Sequence, residues 1–226
     1  MRLSSWLARG AGGRGLRAVP GWGDPAELDR PWRDAEFVVV DLETTGLDLR
    51  RDEIVSYGAV VVRHGRALAG SSVYGLVRPT RPVSRESVEV HALRLEDLAG
   101  APTLAECAPR LVELLTGRVL VAHAAWVERA FLGRALGAGG ARLEGPVVDT
   151  AALAREALAV RDGEEGEPQL ERLVTSLGLP VHTPHHALGD ALTTANLFLA
   201  LVGRLETREP QTVRSLTVAT RRRSLR

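Results

Sequence analysis

Four consecutive apolar residues, Phe37-Val38-Val39-Val40, run straight into Asp41-Leu42-Glu43, and no other stretch of the chain restricts its fold as tightly. Successive side chains of a strand point to opposite faces, so a strand that is apolar at every position must be covered on both. The run predicts the central strand of a layered sheet, with Asp41 standing at its end.

Two longer strand-like runs follow, Ile54 to Val62 and Ala67 to Val77, joined as a hairpin by the turn signal Arg63-His64-Gly65-Arg66. Prolines and charges break the periodicity from Arg78 to Pro102. Helical spacing then appears over Thr103 to Leu115, with Thr103 as N-cap and Pro109 as a point of kinking. Further helices are expected around the stripe Val127, Phe131 and Ala135, and over Thr150 to Ala159, Leu170 to Leu177 and Ala187 to Leu205. Short strands fit Arg118 to Ala122 and Pro146 to Val148. This order predicts an α/β fold with a mixed five-stranded sheet, opened by an antiparallel meander, completed by parallel crossovers and flanked by helices. Residues 1–34, with Arg2, Arg9, Arg14 and Arg17 among glycines and prolines, read as a flexible N-terminal segment. The folded domain is expected over 35–205, interrupted by an acidic loop from Arg161 to Glu167, and 206–226 reads as a basic tail ending in Arg221-Arg222-Arg223 and Arg226.

The formal net charge of +1 leaves no global basic field, so a nucleic-acid partner must be held locally. Cys107 is the only cysteine, which excludes an intrachain disulfide and a Cys-rich zinc site and fits a reducing cytosol. No apolar run reaches the ~18 residues of a membrane span, and the continuous apolar core of a secretory signal is missing. A cytoplasmic protein without membrane attachment is the expectation.

The chemistry concentrates in carboxylates. Asp41 and Glu43 are two residues apart on an extended segment, so both side chains leave the same face of the sheet. The carboxyl end of a central strand is also where ligands bind in open α/β sheets. Behind the pair, Thr44-Thr45-Gly46 makes a small, hydroxyl-rich turn that lets a substrate backbone come close. Asp190 lies near the start of a long helix whose Ala187, Ala191 and Ala195 offer a small-residue face to the sheet, and Glu128 flanks the buried stripe of its own helix. Two carboxylates about 4 Å apart repel by roughly 4 kcal/mol at an effective dielectric of 20. A cluster of these four therefore predicts bound cations, and hard oxygen ligands favour Mg²⁺ or Mn²⁺ over zinc. His185, five residues before Asp190 in a stretch punctuated by prolines and glycine, is expected on a mobile loop, where an imidazole is suited to take a proton from water. His64, His123, His182 and His186 read as structural or exposed.

These residues together resemble the DnaQ-like exonucleases, the DEDD superfamily with a histidine base. Phe37-Val38-Val39-Val40-Asp41-Leu42-Glu43-Thr44-Thr45-Gly46 is similar to the family's first motif. Leu120 to Leu132 looks like the second, which usually reads AHNAxFDxxFL, and His185, Ala187 and Asp190 match the third, His-x-Ala-x-x-Asp. Val90-His91 with Glu96, and Asp149-Thr150, are similar to further family segments. The resemblance covers about residues 36 to 204. It implies a ribonuclease H-like fold and stepwise release of nucleoside 5′-monophosphates from a 3′ end. Asp41, Glu43 and Asp190 would bind two metal ions, His185 would be the general base, and Thr44, Thr45, Gly46 and His91 would lie against the terminal nucleotide. Glu128 stands where the family has aspartate, and Ala124 and Val127 replace the usual Asn and Phe. The implied partners are a nucleic acid with a 3′ end, single-stranded, and a polymerase or other replication or repair protein in trans. Two alternatives are a ribonuclease H-like endonuclease, against which His185 and the Thr-Thr-Gly turn argue, and a nucleic-acid-binding module that has lost turnover, encouraged only by Glu128.

Overall fold

A computed structural model describes residues 17–18, 25–158 and 168–221. Arg2, Arg9 and Arg14, the acidic stretch 161–167, and Arg222, Arg223 and Arg226 lie outside the described residues.

Five strands form one mixed sheet: β1 (Glu36–Thr44), β2 (Ile54–Arg63), β3 (Arg66–Leu76), β4 (Val119–Ala122) and β5 (Val147–Asp149), in the spatial order β3-β2-β1-β4-β5. β2 pairs antiparallel with β1 and β3, while β4 runs parallel to β1 and β5. The strand with the uninterrupted apolar run is the central one, as double-sided burial requires. It is longer than expected. β1 continues through Asp41 and Glu43 to Thr44, pairing Asp41 with Gly58 and Glu43 with Ser56, so the acids stand inside a paired strand instead of at its end.

After a one-turn helix at Pro25–Leu28 and a 3-10 turn at Trp32–Asp34, both within the segment expected to be flexible, the helices are α1 (Arg85–His91), α2 (Leu95–Leu98), α3 (Leu104–Leu115), α4 (Trp126–Ala138), α5 (Thr150–Ala157), α6 (Leu170–Ser176), α7 (Ala187–Glu206) and α8 (Val213–Arg221). Side-chain alternation on β1 divides the core between two layers. Val38, Val40 and Leu42 pack with Leu111 and Leu115 of α3 and Phe131 of α4, whereas Phe37 and Val39 pack with Leu153 of α5 and Phe198 and Leu201 of α7. Each such side chain contributes about 1.5–3 kcal/mol when fully buried, and a one-residue slip would exchange the two rows. The register is therefore fixed, and with it the direction of the acids: Asp41 and Glu43 continue the Phe37-Val39 row toward α7.

Thr103 caps α3 in a reciprocal box with Glu106, and the helix runs through Pro109 to Leu115. α1 and α2 fall in the stretch expected to be irregular; α1 starts where the Ser84 hydroxyl accepts the Ser87 N–H. Packing also extends past the expected domain bounds of 35 and 205. Trp32 is 2 % exposed, meets Phe37 and Phe198 edge-on, and donates its indole N–H to Glu206. Val213 and Leu216 of α8 are fully buried against the α5–α7 layer. Among the described residues no helix is long and apolar enough to cross a membrane.

Candidate active site

The glycine of the run Ser56-Tyr57-Gly58-Ala59 decides where α7 begins. A Cβ at Gly58 would lie 2.2 Å from the carbonyl carbon and oxygen of Ala187 and 2.3 Å from the Leu188 nitrogen. The first turn of α7 therefore rests on bare β2 backbone, directly beside Asp41 on β1. Asp190, in that turn, meets the strand acids: one carboxylate oxygen from each of Asp41, Glu43 and Asp190 lies within 4.8 Å of the others. Glu128 comes from another direction. α4 covers the opposite face, but Glu128 in its first turn sits just past the end of β4, buried, and exerts the largest single charge effect on Asp41. It stands outside the trio.

Burial first, and then the charges of Glu128, Asp190 and Glu43, push the Asp41 carboxyl well above the usual range. Burial and Asp190 push Glu43 up to about 7. Asp190 is also raised by burial, against the opposing effects of the backbone N–H and charge of His185. Three carboxylates held this close bind protons more tightly than free acids unless positive charge is supplied. The donor set is all hard oxygen, partly buried and self-repelling, which fits divalent Mg²⁺ or Mn²⁺.

The chain before α7, expected as a mobile loop, is tied to that helix repeatedly. His182 N–H donates to Thr193 Oγ1 at 2.9 Å, Asp190 N–H donates to the His186 carbonyl at 2.9 Å, and the His186 ring accepts the Gly189 N–H. Gly189 permits a further contact, since a Cβ there would be 2.1 Å from the Thr183 carbonyl oxygen. His185 is thereby held at φ +56° at the rim of the trio, with its side chain 56 % exposed and Nε2 3.8 Å from Glu171 of α6. No sequence signal pointed to Glu171; for Gly58 the signal was a lone glycine in a β-branched strand.

The residues expected against the substrate are turned inward. Thr44 Oγ1 donates to the Gly46 carbonyl at 2.7 Å, and Thr45 Oγ1 donates to Asp52 at 2.8 Å while accepting the Glu53 N–H. A Cβ at Gly46 would meet Asp52 Oδ2 at 2.4 Å, so a larger residue there would displace the carboxylate that Thr45 bonds. His91 is buried. Its Nε2 lies 3.1 Å from the Thr44 carbonyl and its Nδ1 accepts the Leu93 N–H, so both ring nitrogens are engaged within the protein and the ring fastens α1 to the Thr44 turn. Burial lowers its pKa, consistent with a neutral clamp. These hydroxyls and this imidazole fix the turn's shape; a direct hydrogen bond from them to substrate is not what the geometry offers.

The other histidines are structural, as expected: His64 meets the Arg33 carbonyl, His123 bridges Thr150 and the Pro168 carbonyl, and His182 meets Asn196. Asp149 caps α5 and also accepts the Ala124 N–H at 3.1 Å. Ala124, which replaces the family's usual Asn, lies at φ +53°, a left-handed position that suits asparagine better than alanine. A cavity of about 690 Å³ opens between α3 and α4, with Val112 and Phe131 in its walls, on the sheet face opposite the trio. The acids instead lie on the α7 face of the central strand and are partly exposed.

The profile of the exonuclease family of RNase T type matches residues 38–198. A DNA polymerase III subunit epsilon-like protein of Rhodobacter capsulatus is 36% identical over 187 residues, covering 82% of this chain and 26% of the relative. The DNA polymerase III epsilon subunit of Treponema pallidum is 31% identical over 168 residues, covering 74% of this chain and 76% of the relative. Exonuclease X in complex with 5′ overhanging duplex DNA superimposes with a TM-score of 0.64 at 25% identity, covering 81% of this chain and 99% of that one. E. coli exonuclease I with a dT13 oligonucleotide shares the fold, with a TM-score of 0.67 at 15% identity over 77% of this chain and 42% of that one. Sheet order, flanking helices and matches define a nuclease of the ribonuclease H-like fold. The chain belongs to the DnaQ-like exonuclease family. It spans only about a quarter of the Rhodobacter relative, 26% of its length.

Proposed function

We propose that this chain removes nucleotides one at a time from the 3′ end of a single-stranded nucleic acid, hydrolysing each terminal phosphodiester to a nucleoside 5′-monophosphate. The observation that carries this reading is the trio Asp41, Glu43 and Asp190, one carboxylate oxygen of each lying within 4.8 Å of the others where α7 meets the central strand. These side chains would hold two Mg²⁺ or Mn²⁺ ions, with Glu128 supporting Asp41 from the inner side. Such ions, when bound, supply an activated water and stabilise charge on the leaving 3′ oxygen. His185, exposed at the rim, accepts the proton of the attacking water as the new O–P bond forms and the P–O3′ bond breaks. Glu171 of α6 lies 3.8 Å from Nε2. The backbone of Thr44, Thr45 and Gly46 presents a firm rim for the terminal nucleotide, because its side chains are occupied behind it.

The names of the relatives, which refer to a polymerase subunit, support association in trans with a polymerase; action in DNA repair in the cytoplasm belongs to the same proposal. End dependence separates this reading from an endonuclease. With Mg²⁺, a linear single-stranded DNA should be consumed while a circle of the same sequence stays intact; cleavage of the circle would overturn the exonuclease assignment.

A further inference from the structure

Asp41 on β1, Gly58 on β2 and Tyr74 on β3 form one row across the sheet. Residues paired in this way point to the same face. Because α7 starts in the notch left by Gly58, its first turn is bracketed by Asp41 on one side and Tyr74 on the other. The Tyr74 ring lies against His186, with centroids 4.4 Å apart and planes inclined by 24°. His186 caps α7 and is the immediate neighbour of His185. His185 is held at φ +56°, a left-handed conformation that a non-glycine residue keeps only where its surroundings impose it. Besides the bonds that tie this segment to α7, two contacts act on it directly: the backbone N–H of His185 bonds the Asp190 carboxylate, and the stack holds the next residue. Tyr74 is 37 % exposed and belongs to neither hydrophobic layer, so core packing does not explain an aromatic side chain there.

We infer that Tyr74 is a positioning residue for the proposed hydrolysis: by stacking on His186 it fixes the backbone of His185 and keeps that imidazole at the rim of the acid trio. The inference rests on the reading of His185 as the general base. It is tested by kcat and KM on a 5′-labelled single-stranded oligonucleotide at saturating Mn²⁺, for Tyr74→Ala, Tyr74→Phe, His185→Ala and the double variant Tyr74→Ala/His185→Ala. Mn²⁺ affinity of each is measured by calorimetry. Tyr74→Ala should lower kcat about tenfold with KM and Mn²⁺ affinity within about twofold, and Tyr74→Phe, which keeps the ring, should restore most of that rate. In the His185→Ala background, Tyr74→Ala should cost nothing further. Additive losses, or a loss of Mn²⁺ binding in Tyr74→Ala, would make Tyr74 a general support of the fold and overturn the inference. So would a Tyr74→Ala enzyme with full kcat beside an impaired His185→Ala. Full kcat in His185→Ala has a different meaning, since the base reading itself then fails. Should Tyr74→Ala not fold, Tyr74→Leu keeps the bulk without the stack and is held to the same outcomes.

Discussion

Gly58 and Asp41 stand opposite each other on β2 and β1, and the missing side chain at Gly58 lets the helix that carries Asp190 close over the acid. A methyl group at Gly58 would meet Ala187 backbone at 2.2 Å, and backbone cannot swing aside as a side-chain tip can. Gly58→Ala should lift the start of α7 and lower stability by about 1–3 kcal/mol. It should also weaken Mn²⁺ binding about tenfold or more, by moving Asp190 from its two partners. Thermal unfolding and Mn²⁺ calorimetry check both; undiminished Mn²⁺ affinity would show that the trio does not depend on this contact.

The pH dependence of stability should reverse when metal is added. Glu43 has its pKa raised from 4.5 to about 7, so the cation-free folded protein binds a proton more tightly than the unfolded chain does. Stability from that proton is fully present below about pH 4.5 and is lost as pH rises through about 7, amounting to about 3 kcal/mol at most. Mn²⁺ binds the deprotonated carboxylates, so its stabilisation grows over the same window. Melting in EDTA and in Mn²⁺ from about pH 5 to about pH 8 should show a widening gap in Tm. A gap that stays constant with pH contradicts this account of Glu43.

Ala124 sits at φ +53° in the turn that leads from β4 to α4. Ala124→Asn should stabilise the protein by about 1 kcal/mol, because asparagine tolerates the left-handed region that a β-methyl disfavours. Denaturant unfolding measures it. A loss of stability would mean that the turn has no room for the amide.

Glu128 is buried beside Asp41 and exerts the largest charge effect on it. Glu128→Gln keeps the shape and removes the charge, and should slow Mg²⁺-dependent cleavage about tenfold or more. An unchanged rate would remove Glu128 from the site and leave the trio alone.

How much of this could be read from sequence depended on whether the cause was local. Complete burial of Phe37 to Val40 leaves a continuous apolar run, and two-residue spacing on a strand puts Asp41 and Glu43 on one face, so the sheet centre and the acid pair were legible. Gly58 was not, because a glycine in a strand announces a close approach without saying what approaches. Thr44 and Thr45 read as substrate contacts, yet both hydroxyls donate within the protein, Thr44 to the Gly46 carbonyl and Thr45 to Asp52, seven residues beyond it. α1 and α2, of seven and four residues, are too short to show a period. The packing of Trp32 and α8 was hidden by the arginines and prolines around them, although Val213, Leu216 and Thr217 carry helical spacing.

The central claim is a metal-dependent attack that begins at a 3′ end. Matched 5′-labelled single-stranded DNA and RNA oligonucleotides, digested with Mg²⁺ or Mn²⁺ beside an Asp41→Ala control, test it most directly. The expected result is a ladder of labelled products that shortens with time in at least one of the two substrates, abolished by EDTA and by Asp41→Ala. Immediate release of the labelled 5′ mononucleotide without a ladder, or equal digestion by Asp41→Ala, would contradict it.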